Sequence, residues 1–224
     1  MVNHGSRTAT SLAYWDTFYA DRRSAAVPTR PSAFAEWVHR QLSGPSAVIE
    51  LGFGTARDSF WLAGQGHTLR GFDGAASAVD LANTHAEAHG LPARFSRLDL
   101  THTDAVHEAA GATRTDAAAD LVYARFLLHS LPEQGRVNVL DFARLALRPG
   151  GRLYVEFRTG KDAEATHLFG DDHFRAYLDP DEVATTIRSL GGEVLQLEQG
   201  HGLAPYKSED PHVARVVACW GEAA

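Results

Sequence analysis

Cysteine is almost missing: Cys219 is the only one in 224 residues, so neither an intramolecular disulfide nor a cysteine-rich zinc site can form. A reducing cytoplasm suits such a chain. Lysine is nearly as scarce, with Lys161 and Lys207 alone in a chain of net charge -7. That leaves no basic stripe of the kind that releases counterions from a phosphate backbone, and nucleic acid is not an expected partner. Apolar runs long enough to span a membrane are absent, and Met1 to Thr10 is polar with no apolar h-region. Neither a membrane anchor nor a signal peptide is expected. What remains suits one α/β core with a small appendage: a helical lid over 1–44, then one domain over 45–224 with a substrate-side insert around 159–178.

The chain is organised around Val48-Ile49-Glu50-Leu51-Gly52-Phe53-Gly54-Thr55-Ala56-Arg57-Asp58. An apolar strand ends in a carboxylate, turns on two glycines and enters a helix. Glycines at 52 and 54 let the backbone turn tightly and approach a ligand, because neither carries a Cβ. A nucleotide-like cofactor is the first hypothesis, and G-x-G by itself does not say which.

Around this stretch the chain reads as alternating strands and helices. Leu12 to Asp21 carries Leu12, Tyr14, Trp15, Phe18 and Tyr19 at helical spacings, either docked on the core or lying over the cofactor as a lid. A second helix is expected from a Ser32 cap to Leu42. Beyond the glycine turn, Thr55–Gln65 reads as a helix, Thr68–Asp73 as a strand, Ala75–His89 as a helix and Arg94–Asp99 as a third strand. Three strands thus end in Glu50, Asp73 and Asp99, where an open parallel sheet borders its ligand crevice. Thr101–Ala119 is polar, with at most a short helix. Asp120–Phe126 is a fourth strand, Ser130-Leu131-Pro132-Glu133 has the form of a capping box, and Arg148–Gly151 turns into a strand over Arg152–Arg158. Asp179 caps a helix to Leu190, and strands follow at Glu193–Leu197 and His212–Trp220.

Dinucleotide enzymes and enzymes that use S-adenosylmethionine share this layout. Glu50 separates them: directly before the turn it would repel a pyrophosphate, whereas it favours a ligand bearing an ammonium and a sulfonium. The third glycine of the dinucleotide fingerprint is also replaced, by Ala56 or Arg57 according to register. The sequence resembles the class I adenosylmethionine-dependent methyltransferases from Ala47 to Trp220. Glu50-Leu51-Gly52-Phe53-Gly54-Thr55-Ala56 matches their first motif, usually E-x-G-x-G-x-G, with Ala56 as the departure. Asp73 and Asp99 match the acids after the second and third strands, and Leu147-Arg148-Pro149-Gly150-Gly151 the turn before the fifth. This resemblance implies an α/β, Rossmann-like sheet of seven strands in the order 3-2-1-4-5-7-6, the last antiparallel, with helices on both faces. It also implies that Glu50, Gly52, Gly54 and Asp58 line the methionine end, Asp73 the ribose, and Asp99 with Leu100 the adenine. In similar small-molecule enzymes an amino-terminal segment closes over the cofactor, which assigns Tyr14, Trp15 and Tyr19 to that cover.

Segments after the fourth and fifth strands concentrate the cations Arg125, His129, Arg158, Lys161, His167, His173, Arg175 and Lys207. Such a cluster in an acidic chain points to a small anionic acceptor, a phosphonate, phosphate or carboxylate methylated on oxygen, with Arg125 and His129 nearest the chemistry. Within the resembled family the chain is similar to small-molecule methyltransferases of bacterial secondary metabolism, and a phosphonate O-methyltransferase is the expected member. A neutral hydroxyl would instead need His129 or His173 as base. His85 and His89 have a metal-compatible spacing but lack the H-E-x-x-H pattern and read as a solvated helix face, as do His102, Asp104 and His107 in their loop. No metal is assigned, with a divalent ion at Asp99 as the open alternative. An NAD-type oxidoreductase and a non-catalytic adenosylmethionine-binding module are the competing functions, and the aromatic helix could equally cover a second copy in a homodimer.

Overall fold

The computed structural model describes residues 4–21, 30–163 and 174–221. Its centre is a run of strands, β1 (Ala47–Leu51), β2 (Thr68–Asp73), β3 (Ala93–Arg97), β4 (Ala119–Arg125) and β5 (Leu147–Arg158), of which β1 and β4 carry buried apolar residues on both sides and β3, at the edge, buries only Phe95. These pair in parallel, and β7 (Val213–Cys219) enters antiparallel between β5 and β6 (Glu193–Gly200). The order is β3-β2-β1-β4-β5-β7-β6, as expected. Strands covered on both faces lose the polar alternation of a half-exposed sheet. In β1, Val48 joins the core on one side and Ile49 the core on the other.

One face is covered by α5 (Thr103–Ala117), α6 (Glu133–Ala146) and α7 (Pro180–Ser189), the other by α2 (Ala33–His39), α3 (Arg57–Gly64) and α4 (Ala76–His89). The buried side of α4 is Ser77, Ala78, Ala82 and Ala86, small enough to bring the helix close to the sheet. Outside these, α1 (His4–Ala20) lies against α4. Among the described residues, no helix is long and apolar enough to cross a membrane.

Four local expectations change. The polar stretch after β3 is a helix of 15 residues, because Val106, Ala110 and Thr113 make a narrow buried stripe that its many charges obscure. Ser130 does not cap α6: its hydroxyl donates to the Phe126 carbonyl, and Pro132 occupies the N-cap position with no side-chain bond. The Arg148–Gly151 turn is absorbed into β5, with Gly150 at φ 78° and a register shift against Ala119–Leu121. Finally, α2 is part of the core, not of a cover, since Phe34, Ala35 and Val38 are buried against Val48, Leu121, Tyr123 and Tyr154.

Candidate functional site

The carboxyl ends of β1, β2 and β4 open into a cavity of about 1100 Å³. Its floor is the β1–α3 turn. Gly52 and Gly54 have φ of 66° and 57°, and Ala56 follows at φ 56° in the same left-handed region. A Cβ on Gly52 would stand 2.5 Å from Leu127 Cδ1, and one on Gly54 2.5 Å from the Tyr19 hydroxyl oxygen. Ala56 adopts the conformation that the usual glycine takes without strain, at a cost of about 1 kcal/mol. The turn is tied down from β2: Gly54 N–H donates to Asp73 Oδ2 at 2.9 Å, and Ala75 N–H to Oδ1 at 2.9 Å.

Two carboxyl groups meet under the turn. Glu50 is buried and accepts from the Ser59 hydroxyl at 2.5 Å. Burial, then the nearby charge of Asp58, pushes its pKa up to about 8. Asp58 is equally buried but well satisfied: it accepts from Ser32 N–H at 2.7 Å, the Ser32 hydroxyl at 2.7 Å and the Tyr123 hydroxyl at 2.8 Å. Ser32 also caps α2 through Ala35 N–H. A neutral cavity would gain nothing from a carboxyl held so far above its ordinary range, whereas a cationic ligand restores its charge. The glycine cradle and this paired acid site fit adenosylmethionine.

The other expected cofactor residues fall into two groups. Asp73, Asp99 and Leu100 line the same cavity as Glu50, Gly52, Gly54 and Asp58, with Asp99 oriented by Thr101 through its N–H at 2.9 Å and hydroxyl at 2.7 Å. From α1, Leu12, Trp15, Phe18 and Tyr19 line it, but Tyr14 does not. Tyr14 lies two residues beyond Leu12, on another side of the helix from the Leu12–Trp15–Tyr19 stripe, and packs on the Trp15 and Phe18 rings. Asp16 Oδ1 accepts from Ser77 N–H at 2.8 Å, so α1 supplies a first-turn acceptor for α4, whose own N-cap residue Ala75 has none.

Of the expected acceptor-side residues, Arg125, His129, Arg158, Arg175 and Lys207 line the cavity. Lys161 does not: the 3-10 turn Gly160–Asp162 aims its ammonium at Gln199 on the protein surface, 3.4 Å away. His167 and His173 lie outside the described residues. Arg158 is buried and already neutralised, by Asp162 at 2.5 Å and Glu209 at 2.6 Å. His129 is also buried, and its Nδ1 accepts from the Arg158 backbone N–H at 3.2 Å. In the neutral ring the hydrogen therefore sits on Nε2, which makes that nitrogen a donor. His85 and His89 are not a plain solvated face, since their stacked rings, 4.1 Å apart, line the cavity.

Several site residues escaped the sequence reading. Phe126 lies in the cavity wall at φ 54°, with the guanidiniums of Arg125 and Arg158 over its ring, 4.3 and 5.3 Å from the centroid. A bulky residue with that backbone is uncommon outside functional sites, and nothing in its sequence neighbourhood announces it. Glu156 and Arg215 did carry a signal, Glu156 lying between the apolar Val155 and Phe157 and Arg215 being the one charge in an otherwise apolar strand. Ser32, Ser59 and Tyr123 acquire their partners only through the fold.

Comparison with known proteins agrees with this geometry. Residues 48–151 match the profile of a family described as a methyltransferase domain. An arsenite methyltransferase from Aquipseudomonas alcaligenes is 27% identical over 171 residues, 75% of this chain and 42% of that protein. The chain thus spans less than half the length of that curated relative. Among solved structures, the 1,6-didemethyltoxoflavin-N1-methyltransferase of Burkholderia thailandensis, bound to its substrate and S-adenosylhomocysteine, superposes with a TM-score of 0.70 at 18% identity, covering 99% of this chain and 92% of that one. The DhpI complex with S-adenosylhomocysteine superposes with a TM-score of 0.65 at 19% identity, covering 99% and 100%. The chain is thus similar to a methyltransferase domain over residues 48–151, and its seven-stranded sheet has the fold of these solved structures.

Proposed function

We propose that the protein methylates an oxygen of a small anionic acceptor, a phosphonate, phosphate or carboxylate, at the cavity above the glycine turn. Adenosylmethionine, when bound, supplies a methyl group on a positively charged sulfur that an in-line nucleophile displaces. The protein's own part is to hold that charge against Glu50 and Asp58, to exclude water, and to place the acceptor oxygen. A pyrophosphate-bearing dinucleotide would meet the same two carboxyl groups as repulsion, so an NAD-type reaction is disfavoured.

The observation that carries the anionic reading is the Arg158 N–H bond to His129 Nδ1. With Nδ1 occupied, the neutral ring is a donor and not the base that a neutral phenol or alcohol requires. An anionic oxygen needs no base, only donors and cations that orient it. Nε2–H of His129, Arg175 and Lys207 are the groups for that work, with Phe126, Leu131 and Pro132 as an apolar wall. The cover over the cofactor reduces to α1, through Leu12, Trp15, Phe18 and Tyr19.

The test is methyl transfer from radiolabelled adenosylmethionine to a panel of phosphonates, phosphates, carboxylates, phenols and amines. Turnover of anionic members is the expected result. Transfer confined to neutral phenols or amines overturns the acceptor class, and stabilisation by NAD in place of S-adenosylhomocysteine overturns the cofactor.

A further inference from the structure

A row of alternating charge crosses four strands and ends in the cavity. In register, Arg125 on β4 stands opposite Glu156 on β5, Glu156 opposite Arg215 on β7, and Arg215 opposite Glu198 on β6. Arg125 Nε donates to Glu156 Oε1 at 3.0 Å and Arg215 Nε to Oε2 at 2.9 Å, with Glu198 Oε1 3.5 Å from Arg215 Nη1. Glu156 is completely buried, and a carboxylate that deep needs both guanidiniums to remain charged. Arg215 is itself held, lying over the Phe34 and Trp37 rings at 5.3 and 5.0 Å and donating to the Leu203 carbonyl at 2.6 Å. Arg215 is therefore held on several sides, and the end of the row nearest the cavity is Arg125.

Only Nε of Arg125 is used. Among the described residues its two terminal nitrogens have no hydrogen-bond partner, and the side chain lines the cavity. That leaves a planar fork of donors suited to a carboxylate. Position decides which carboxylate. Glu50 is opposite Tyr123 in the parallel β1–β4 pair, so Arg125, two residues on, stands level with Gly52 and on the same face as Glu50. Asp58 and Glu50 are both within electrostatic reach of it. The wall at the turn thus offers two acids and one guanidinium. The methionine group offers the complement: sulfonium, ammonium and one carboxylate.

We propose that Arg125 binds the methionine carboxylate of the cofactor, not the acceptor, and that Glu156 and Arg215 are positioning residues that aim it. This rests on the adenosylmethionine reading above and departs from the expectation that placed Arg125 with the acceptor. Calorimetric titration with S-adenosylhomocysteine and with its decarboxylated analogue, hydrogen in place of the carboxylate, tests it. The wild-type protein should prefer the intact ligand by about 10- to 100-fold, the range for a charge-assisted bidentate pair. Arg125→Gln should bind both alike, Arg125→Lys should keep part of the preference, and Glu156→Gln should shrink it. Each preference is a ratio measured on one preparation, so partial unfolding of a variant cancels. An Arg125→Gln protein that keeps the wild-type preference, or weakens both ligands by one factor, overturns the proposal. Wild-type protein that binds both ligands equally defeats the Arg125 assignment alone, whereas protein that binds neither defeats the cofactor reading with it.

Discussion

The Ser59 hydroxyl donates to Glu50 Oε2 across 2.5 Å, fixing a carboxyl group whose pKa burial and Asp58 raise to about 8 from an ordinary 4.5. A raised acid binds a proton in the folded protein that the unfolded chain has released. Glu50 therefore destabilises the unliganded fold progressively as pH rises from about 4.5 to about 8. Cofactor binding reverses the preference, because a cation favours the carboxylate.

Affinity for adenosylmethionine should accordingly rise with pH up to about 8 and level off above it, by up to about tenfold per pH unit. Glu50→Gln should flatten this profile, weaken binding by roughly 10- to 100-fold, and make the unliganded protein more stable at pH 8. Titration calorimetry and thermal melts across pH read all three effects. A variant that binds as tightly as wild type would remove Glu50 from the site.

Ser32 holds two structures together: its hydroxyl caps α2 and its N–H and hydroxyl both bind Asp58. Ser32→Ala should cost about 2 kcal/mol, combining a lost cap with a lost bond to a buried carboxylate. Urea denaturation measures it, and a shift below about 0.5 kcal/mol would show that Asp58 needs only the remaining donors.

Gly54 and Gly90 have nearly the same backbone, φ 57° and 60°, but a Cβ at Gly54 meets the Tyr19 hydroxyl and one at Gly90 meets nothing. Alanine at either should cost about 1 kcal/mol of stability through strain. Only Gly54→Ala should also displace Tyr19 and abolish S-adenosylhomocysteine binding. Equal binding losses in both would mean that strain, and not close approach, explains the glycine turn.

Asp16 joins α1 to α4 at Ser77. Asp16→Ala should speed dissociation of bound S-adenosylhomocysteine several-fold and raise hydrogen exchange across α1, with the core strands unaffected. Tyr14→Ala, at a half-buried ring that does not itself line the cavity, should change the dissociation rate less than Asp16→Ala does. Unchanged dissociation in Asp16→Ala would remove α1 as a cover.

Legibility followed the range of the interactions concerned. The strand–turn–helix at Val48–Asp58 could be read because its signals, an apolar run, two glycines and an acid, are neighbours in sequence. The helix Thr103–Ala117 was hidden because its buried stripe is only three residues wide. Ser130 misled for a related reason: S-x-x-E describes a local option, and Pro132 took the cap position instead. Among the cations, sequence position after a strand end singled out Arg125 and Arg158, and both line the cavity. It carried no information about Asp162, Glu209 or Glu156, which neutralise or aim them.

By itself, then, the sequence determined the alternation of strands and helices, the glycine cradle and the sign of the charge beneath it, since periodicity, glycine turns and an acid at a strand end are local consequences of residue type; the strand order was implied only by a resemblance. Only the tertiary structure decided which charges remain available to a ligand. A side chain's charge is local, but its partner is chosen by register and packing between residues as far apart as Arg125 and Arg215, and it is the partner that leaves Arg125 with donors to spare and Arg158 with none of its charge uncompensated.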